Sequence, residues 1–359
     1  MFRNLERSDV SLQIRQCKQI ISSHSAIGGA MQKPVKDYFQ GLEIGPRADH
    51  QNMSVFPFFF MAEAGLQYLP LDAALASGVI EVAEVSEGGD VPNLKVTNKG
   101  EIPILILAGE ELVGAKQNRI VNATFLIAGK ARFNIPVSCV EQGRWSYQSK
   151  HFMSERRMSS PQLRSRVELD LACSIREGRG FRANQSGVWD EIGTKSARMS
   201  VHSPTGAMSD IYESYEDQLR QYTESFSLSP NQKGFLVAIN GRMAGMEAFG
   251  SQDSLANYFT KLIQSYALDA IDLHRQGQSS KHPEDGIEAW VEEIRELPVI
   301  SSPSLSLGED LRVESEKVIG SGLMHEGTVL YLSVFSKNGS KNKSGMARAS
   351  RRGSFNRDF

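Results

Sequence analysis

Between residues 50 and 145 the apolar positions fall in short runs at 55–61, 78–85, 93–96, 103–108, 123–128 and 133–140, broken by Gly, Pro and Asn. Runs of this length between turn residues predict strands rather than helices. The 103–107 stretch is apolar at every position, the mark of a central strand covered on both faces. A β-sandwich or a strongly bent sheet is therefore expected for this half. The texture then changes. Residues 150–205 are basic and polar, with weak helical spacing at Leu163, Val167, Leu171 and Ile175, and would cover the sheet or line a cleft.

The last third is more regular. Residues 209–226 predict one helix with a stripe of Ile211, Tyr215, Leu219 and Tyr222, opened by a capping box of Asp210 and Glu213. Asn240-Gly241 between apolar runs at 234–239 and 243–249 is the strongest short-range hairpin signal in the chain. From 252 to 274, Leu255, Tyr258, Phe259, Leu262, Ile263, Tyr266, Ala270 and Leu273 recur at three- and four-residue spacing, which predicts a long helix. Pro283, followed by Glu284 and Asp285, opens another with Ile287, Trp290, Val291 and Ile294 inward. Stretches at 310–319 and 328–335 read as closing strands, and no repeat of fixed period is visible.

The expected class is α+β: a β-rich, sandwich-like or bent-sheet N-terminal half packed with a mixed α/β C-terminal half. Residues 1–37 are not assigned, apart from a short helix that 8–21 could form. Residues 38–335 form a single domain with a β-rich part at 50–150, a connecting polar segment at 151–205 and a mixed helix and strand part at 206–335. Residues 336–359 form a basic tail with too little apolar content to order.

Charge changes the picture only by its distribution. The formal net charge is −2, but residues 336–359 hold seven Lys and Arg against one Asp, leaving about −8 on the rest. An acidic body argues against nucleic acid as the main partner, because such binding rests on phosphate neutralisation. The cysteines Cys17, Cys139 and Cys173 form no CxxC pair and no disulfide framework is expected of them, which suits a reducing compartment. The first residues lack the apolar core of a secretory signal, and no stretch is long enough to span a bilayer. A cytoplasmic address without membrane association follows by elimination. Oligomeric state cannot be read.

Familiar catalytic motifs are absent: there is no GxxxxGK[ST], GxGxxG after a strand, HExxH or GxSxG. None of the seven histidines stands at metal-ligand spacing from another His or a Cys, so no metal site is assigned. What stands out is the segment from Gly109 to Asn122, where polar groups of both charges crowd behind an apolar strand. Such groups, if buried, must satisfy each other or face a ligand. If 117–127 is one strand, Gln117 and Arg119 share one face, and Asn118 and Asn122 the other. Lys116 and Arg119 would hold a phosphate or carboxylate, and Glu110 or Glu111 would act as general acid or base.

The second segment runs from Cys139 to Trp145. Alternation puts Cys139 and Glu141 on one face, and Arg144 and Trp145 follow a Gly that turns the chain. A structural Cys139 is the preferred reading over a nucleophile. Trp145 beside Arg144 would wall a ring-binding pocket or simply pack. Loops at 159–164 and 185–189 are placed to approach the same site, and 203–207 would offer backbone N–H groups to an anion or serve as a turn and cap. Glu247, in a strand of small and apolar residues, is expected to face solvent.

The strings GEELVGAKQNRIVNATFLI, IPVSCVEQGRW, GFLVAINGRMAGMEAFGS and SYALDAID resemble the ARG and rhodanese-phosphatase-superfamily-associated protein family, over about Tyr38 to Phe335. Glu111, Gly114, Lys116, Gln117, Asn118, Arg119, Cys139, Glu141, Gly143, Arg144 and Trp145 match its most recognisable motifs. The family's name implies the neighbourhood of ADP-ribose, NAD or phosphoester metabolism. Two readings result, and neither decides whether the protein is an enzyme or names a cofactor. In one, the protein handles ADP-ribose, NAD or a related phosphorylated nucleoside. Glu111 and Glu141 move protons, while Lys116, Gln117, Asn118, Arg119, Asn122, Arg144 and Trp145 bind the ligand. In the other, it is a non-catalytic binding or scaffold protein whose segments form a structural polar network.

Overall fold

Side-chain alternation sorts the strands of the largest sheet into two buried faces. Val55, Phe235, Val237, Ile239 and Tyr331 point to one core, while Phe56, Phe58, Leu236, Ala238 and Leu332 point to another. A strand apolar on both faces must be covered on both, and this sheet is. The computed structural model describes residues 33–39, 41–61, 65–275 and 286–337. The helix considered at 8–21, the helix-opening Pro283 and the basic tail beyond residue 337 lie outside them.

The class is α+β. Ten strands form one antiparallel sheet, in the order Lys33–Pro34, Pro298–Pro303, Glu309–Glu314, Val318–His325, Thr328–Ser336, Arg242–Phe249, Gly234–Ile239, Met53–Phe59 and Glu43–Ile44, with Ala48–His50 also pairing Met53–Phe59. Met53–Phe59 thus belongs to the C-terminal sheet: Leu236 lies opposite Phe56. The helix Gln252–Arg275 buries its stripe on one face of this sheet, joined by Pro161–Arg176, Gln185–Arg198 and Glu216–Glu224. Ile287–Glu296 covers the other face through Val291 and Ile294.

The Asn240-Gly241 turn is formed as expected, with φ of +49° and +70°, the left-handed pair that a tight hairpin demands. The 209–226 stretch is two helices, Met208–Ser214 and Glu216–Glu224, not one. Tyr215 leaves helical geometry at φ −119°, and its hydroxyl donates to the Met199 carbonyl at 2.6 Å. The capping box is not made; Asp210 accepts from Ser203 instead.

The remaining strands enclose a third core. One sheet runs Phe152–Met153, Glu111–Gly114, Arg119–Val121, Arg132–Cys139, Asn93–Asn98 and Ile80–Glu84. A three-stranded sheet places Ile104–Ile106 at its centre, between Phe125–Ile127 and Leu69–Pro70. The six-stranded sheet is bent so far that its two edge strands, Ile80–Glu84 and Phe152–Met153, come into contact although no hydrogen-bonded ladder joins them. It is a barrel left open along one seam. The single strand expected at 117–127 is interrupted: Arg119–Val121 and Phe125–Ile127 belong to different sheets.

Cys139 is a free, buried thiol, whereas Cys173 is disulfide-bonded. The expectation that no disulfide forms is corrected for Cys173, since spacing along the chain does not report proximity in space. The cysteine argument for a reducing compartment goes with it. Among the described residues no helix is long and apolar enough to cross a membrane.

Candidate functional site

Two turns bring the motif segments together. Arg119 lies opposite Cys139 in the Arg119–Val121 and Arg132–Cys139 pairing, and opposite Leu112 on its other side. The two segments therefore share one sheet, and the loops at their ends fold over the same spot.

Arg144 is the hub of that spot. Its Nε and Nη2 donate to the Glu141 carboxylate at 2.8 and 2.6 Å. Nη1 reaches the carbonyls of Ala115 and Ser146, and Nη2 also reaches the Asn118 side-chain oxygen at 2.9 Å. Glu141 further accepts from the Asn118 backbone N–H and the Thr205 hydroxyl, and its own carbonyl accepts from the Gln117 amide. Burial pushes the Glu141 carboxyl up, but the bonds from Arg144, Asn118 and Thr205 outweigh it and hold the group below the usual carboxylate range. It is an anion locked between donors.

Arg119 is fully buried. Its Nη1 donates to the Gln117 carbonyl and side-chain oxygen, both at 3.1 Å. Among the described residues the Nε and Nη2 edge has no hydrogen-bond partner; Glu84 Oε1 stands 3.9 Å from Nη2, and Glu84 Oε2 is likewise unpartnered. Above the guanidinium lies the Trp145 ring at 5.7 Å, 48% exposed on its outer side. The Lys116 ammonium sits 5.2 Å from Trp145 and 5.1 Å from Tyr147 and donates to the Gly88 carbonyl. Asn122 turns away from this spot, accepting from Ser138 and donating to the Phe181 carbonyl.

The two glutamates of the first segment part company. Glu110 accepts from the Leu107 N–H and from Lys261, which also reaches Asp72 at 2.8 Å. Burial disfavours the Lys261 ammonium, yet the two carboxylates hold its pKa above the usual lysine value. Glu111 has neither carboxylate oxygen paired among the described residues, and burial pushes it up to about 8 against the pull of Arg157. Cys139 is pushed up to about 11, by burial first, with Arg119 opposing. Its backbone N–H and carbonyl are both held by the Gln185 side-chain amide at 2.8 Å; the stretch expected as a loop at 185–189 is the start of the Gln185–Arg198 helix, and that helix end reaches the site.

The 203–207 turn also arrives there, as a clasp. The Gly143 N–H donates to the Thr205 carbonyl at 2.6 Å, and a Cβ on Gly143 would meet the Thr205 backbone at 3.0 Å. The helix that follows is only seven residues long. At the other end, Gly109 takes φ +89° beneath Ser159 and Arg164.

Residues matching 41–335 fit the ARPP-1 domain, the ARG and rhodanese-phosphatase-superfamily-associated protein domain. The chain belongs to that family. No curated protein and no solved structure matches it.

Sequence reasoning missed a second set of buried charges that the ARPP-1 domain places between its helices and large sheet. Glu247 is not solvent-facing: it is fully buried, receives Arg164 at 2.8 Å and accepts from the Tyr266 and Tyr331 hydroxyls. Arg312 chelates Asp310 and binds Glu168, and Lys195 and Arg198 hold Asp269 and Asp272. A signal existed. Lys261, Ser265, Asp269 and Asp272 fall at three- and four-residue spacing on the helix's buried side, in register with its apolar stripe. Among the described residues no group of three His, Cys, Asp or Glu is placed to hold a metal ion.

Proposed function

We propose that the protein is a non-catalytic binding or scaffold module in which Gly109 to Asn122 and Cys139 to Trp145 act as a frame. One observation carries this reading: every N–H-bearing nitrogen of Arg144 is occupied by Glu141, Asn118, Ala115, Ser146 or Gly114, inside the protein. A ligand-binding arginine keeps donors for its ligand. A structural one uses them to tie loops together. Glu141 is in the same condition, with both oxygens engaged, and so cannot take a proton from a substrate without breaking the frame.

The decisive measurement pairs denaturant melts of Arg144→Lys and Arg119→Lys with a thermal-shift screen of the parent against NAD, ADP-ribose, nucleotides and sugar phosphates. On the frame reading both variants lose about 1–3 kcal/mol, because an ammonium leaves carbonyl or carboxylate acceptors unpaired. Unchanged stability in both variants, together with a ligand that raises the parent's melting temperature, overturns it.

A second reading has one specific support. The Nε and Nη2 edge of Arg119 is the side that grips carboxylate or phosphate bidentately, and it is unoccupied under the half-exposed Trp145. On that reading Trp145 swings aside, and a phosphorylated nucleoside or related anion docks on Arg119 with its base against the indole. Trp145→Ala would then weaken nucleotide binding while leaving the melt nearly unchanged.

A further inference from the structure

The open seam of the six-stranded sheet is not filled by protein. Along this seam runs a groove of about 440 Å³, lined by the edge strands Ile80–Glu84 and Phe152–Met153 and by the Leu71–Ala76 helix. That volume falls within the roughly 300–1,000 Å³ of small-molecule sites. It exists because neither edge strand completes the barrel, so the bent sheet leaves a slot instead of a ladder.

The slot has an apolar floor and one unused charge. Leu75, Ile80, Val82 and Phe152 supply the floor. Both carboxylates in its wall already have cationic partners, Asp72 sharing Lys261 with Glu110. Asp72 accepts from Lys261 at 2.8 Å and from the Ser154 hydroxyl, and Glu81 holds Lys99 at 2.8 Å with His151 3.7 Å away across the seam. Arg156 also lines the groove, and its guanidinium has no partner among the described residues. Its backbone is held at φ +55°, a left-handed conformation that non-glycine residues rarely adopt and that clusters at ligand clamps. The Arg156 N–H is tied to the Ser154 hydroxyl at 3.0 Å, and Ser154 in turn donates to Asp72, which anchors the strained turn to the wall of the slot.

We propose that this seam groove is a binding site for a small organic anion, a carboxylate or phosphate monoester on an apolar body, with Arg156 gripping the anion and the floor covering the body. The inference goes beyond the frame reading: it needs no residue of the Arg144 network, and its variants lie apart from that network. An apolar tail accounts for the floor, and a single anionic head accounts for the groove-lining guanidinium that has no counterion among the described residues.

The test uses the full chain and isothermal titration calorimetry with octanoate and hexyl phosphate, with hexanol as the uncharged comparator. Arg156→Gly removes the guanidinium at a position whose φ suits glycine, so the fold is kept. Ala76→Trp fills the groove from the exposed end of the helix. The expected result is one-to-one binding of at least one anion by the parent, weakened about tenfold or more in Arg156→Gly at unchanged melting temperature and abolished in Ala76→Trp. Binding of octanoate alone assigns a carboxylate, and of hexyl phosphate alone a phosphate ester. Equal affinity for hexanol, unchanged affinity in Arg156→Gly, or no binding of either anion at millimolar concentration overturns the proposal. Because the Arg144 and Arg119 melts are read independently, a failed titration here leaves the frame reading standing.

Discussion

Arg164 and Glu247 meet at 2.8 Å in an interior where their side chains are 3% and 0% exposed. One comes from the segment that reads as a polar connector and the other from a strand of small residues, and together they join the Pro161–Arg176 helix to the large sheet. The attraction between them, with Glu247 outweighing the cost of burial, raises the Arg164 pKa. Glu247→Ala leaves that guanidinium stranded and is expected to destabilise the fold by about 3–5 kcal/mol in a urea melt. The double variant Arg164→Met with Glu247→Leu should lose less than the two single changes combined. Additive losses would show that the pair is not coupled.

Glu111 makes stability depend on pH in an unusual direction. Burial moves its carboxyl from 4.5 to about 8, so across that window the folded chain holds a proton that the unfolded chain releases. Its contribution is therefore fully present below about pH 4.5 and is lost as pH rises to about 8, at up to roughly 1.4 kcal/mol per pH unit. Glu111→Gln should flatten that part of the profile and exceed the parent in stability at pH 8, where the parent's carboxyl is ionising. Parallel pH profiles for parent and variant would disprove it.

Cys139 should be inert. It is fully buried and its thiol is pushed up to about 11, so the thiolate is scarce at neutral pH. Iodoacetamide should label it only after denaturation, and Cys139→Ser should lower stability rather than any binding signal. Rapid labelling of the native protein at this residue would point to a reactive thiol instead.

Gly109 opens the first motif at φ +89°, and an added Cβ would stand 2.7 Å from both Arg164 Cδ and Ser159 Oγ. Gly109→Ala combines left-handed strain with overpacking and is expected to cost about 2–4 kcal/mol. A melt within experimental error of the parent would mean that the turn can relax.

Much of the fold was legible because local chemistry and tertiary structure agree. Asn240-Gly241 dictates its turn, the stripe on Gln252–Arg275 dictates its buried face, and Ile104–Ile106 is central as its unbroken apolar run implies. The failures are of one kind. Glu247 occupies a core position that polarity assigns to solvent, because Arg164, more than 70 residues away, supplies the opposite charge. The break at Tyr215 and the interruption after Val121 are likewise set by contacts remote in sequence. For the site, the pairing of Arg119–Val121 with Arg132–Cys139 sets side by side the two segments that the sequence had singled out. Their mutual saturation could not be foreseen, since donor counts emerge only when Arg144 is seen among five acceptors.

The strand Met53–Phe59 pairs along its length with Gly234–Ile239. During synthesis, then, an apolar segment reading MSVFPFF emerges long before the edge it must dock against. Closing so large a loop is slow, and a waiting strand of this composition is a template for wrong partners. Pro57, which has no N–H to offer, interrupts that template in the middle of its aromatic run. Replacing it would leave the finished sheet's own ladder untouched on the Gly234–Ile239 side only if the new N–H pointed outward. The residue that looks like a flaw in the strand is thus placed where a gatekeeper against premature pairing would stand, and Pro57→Val is expected to increase aggregation on refolding.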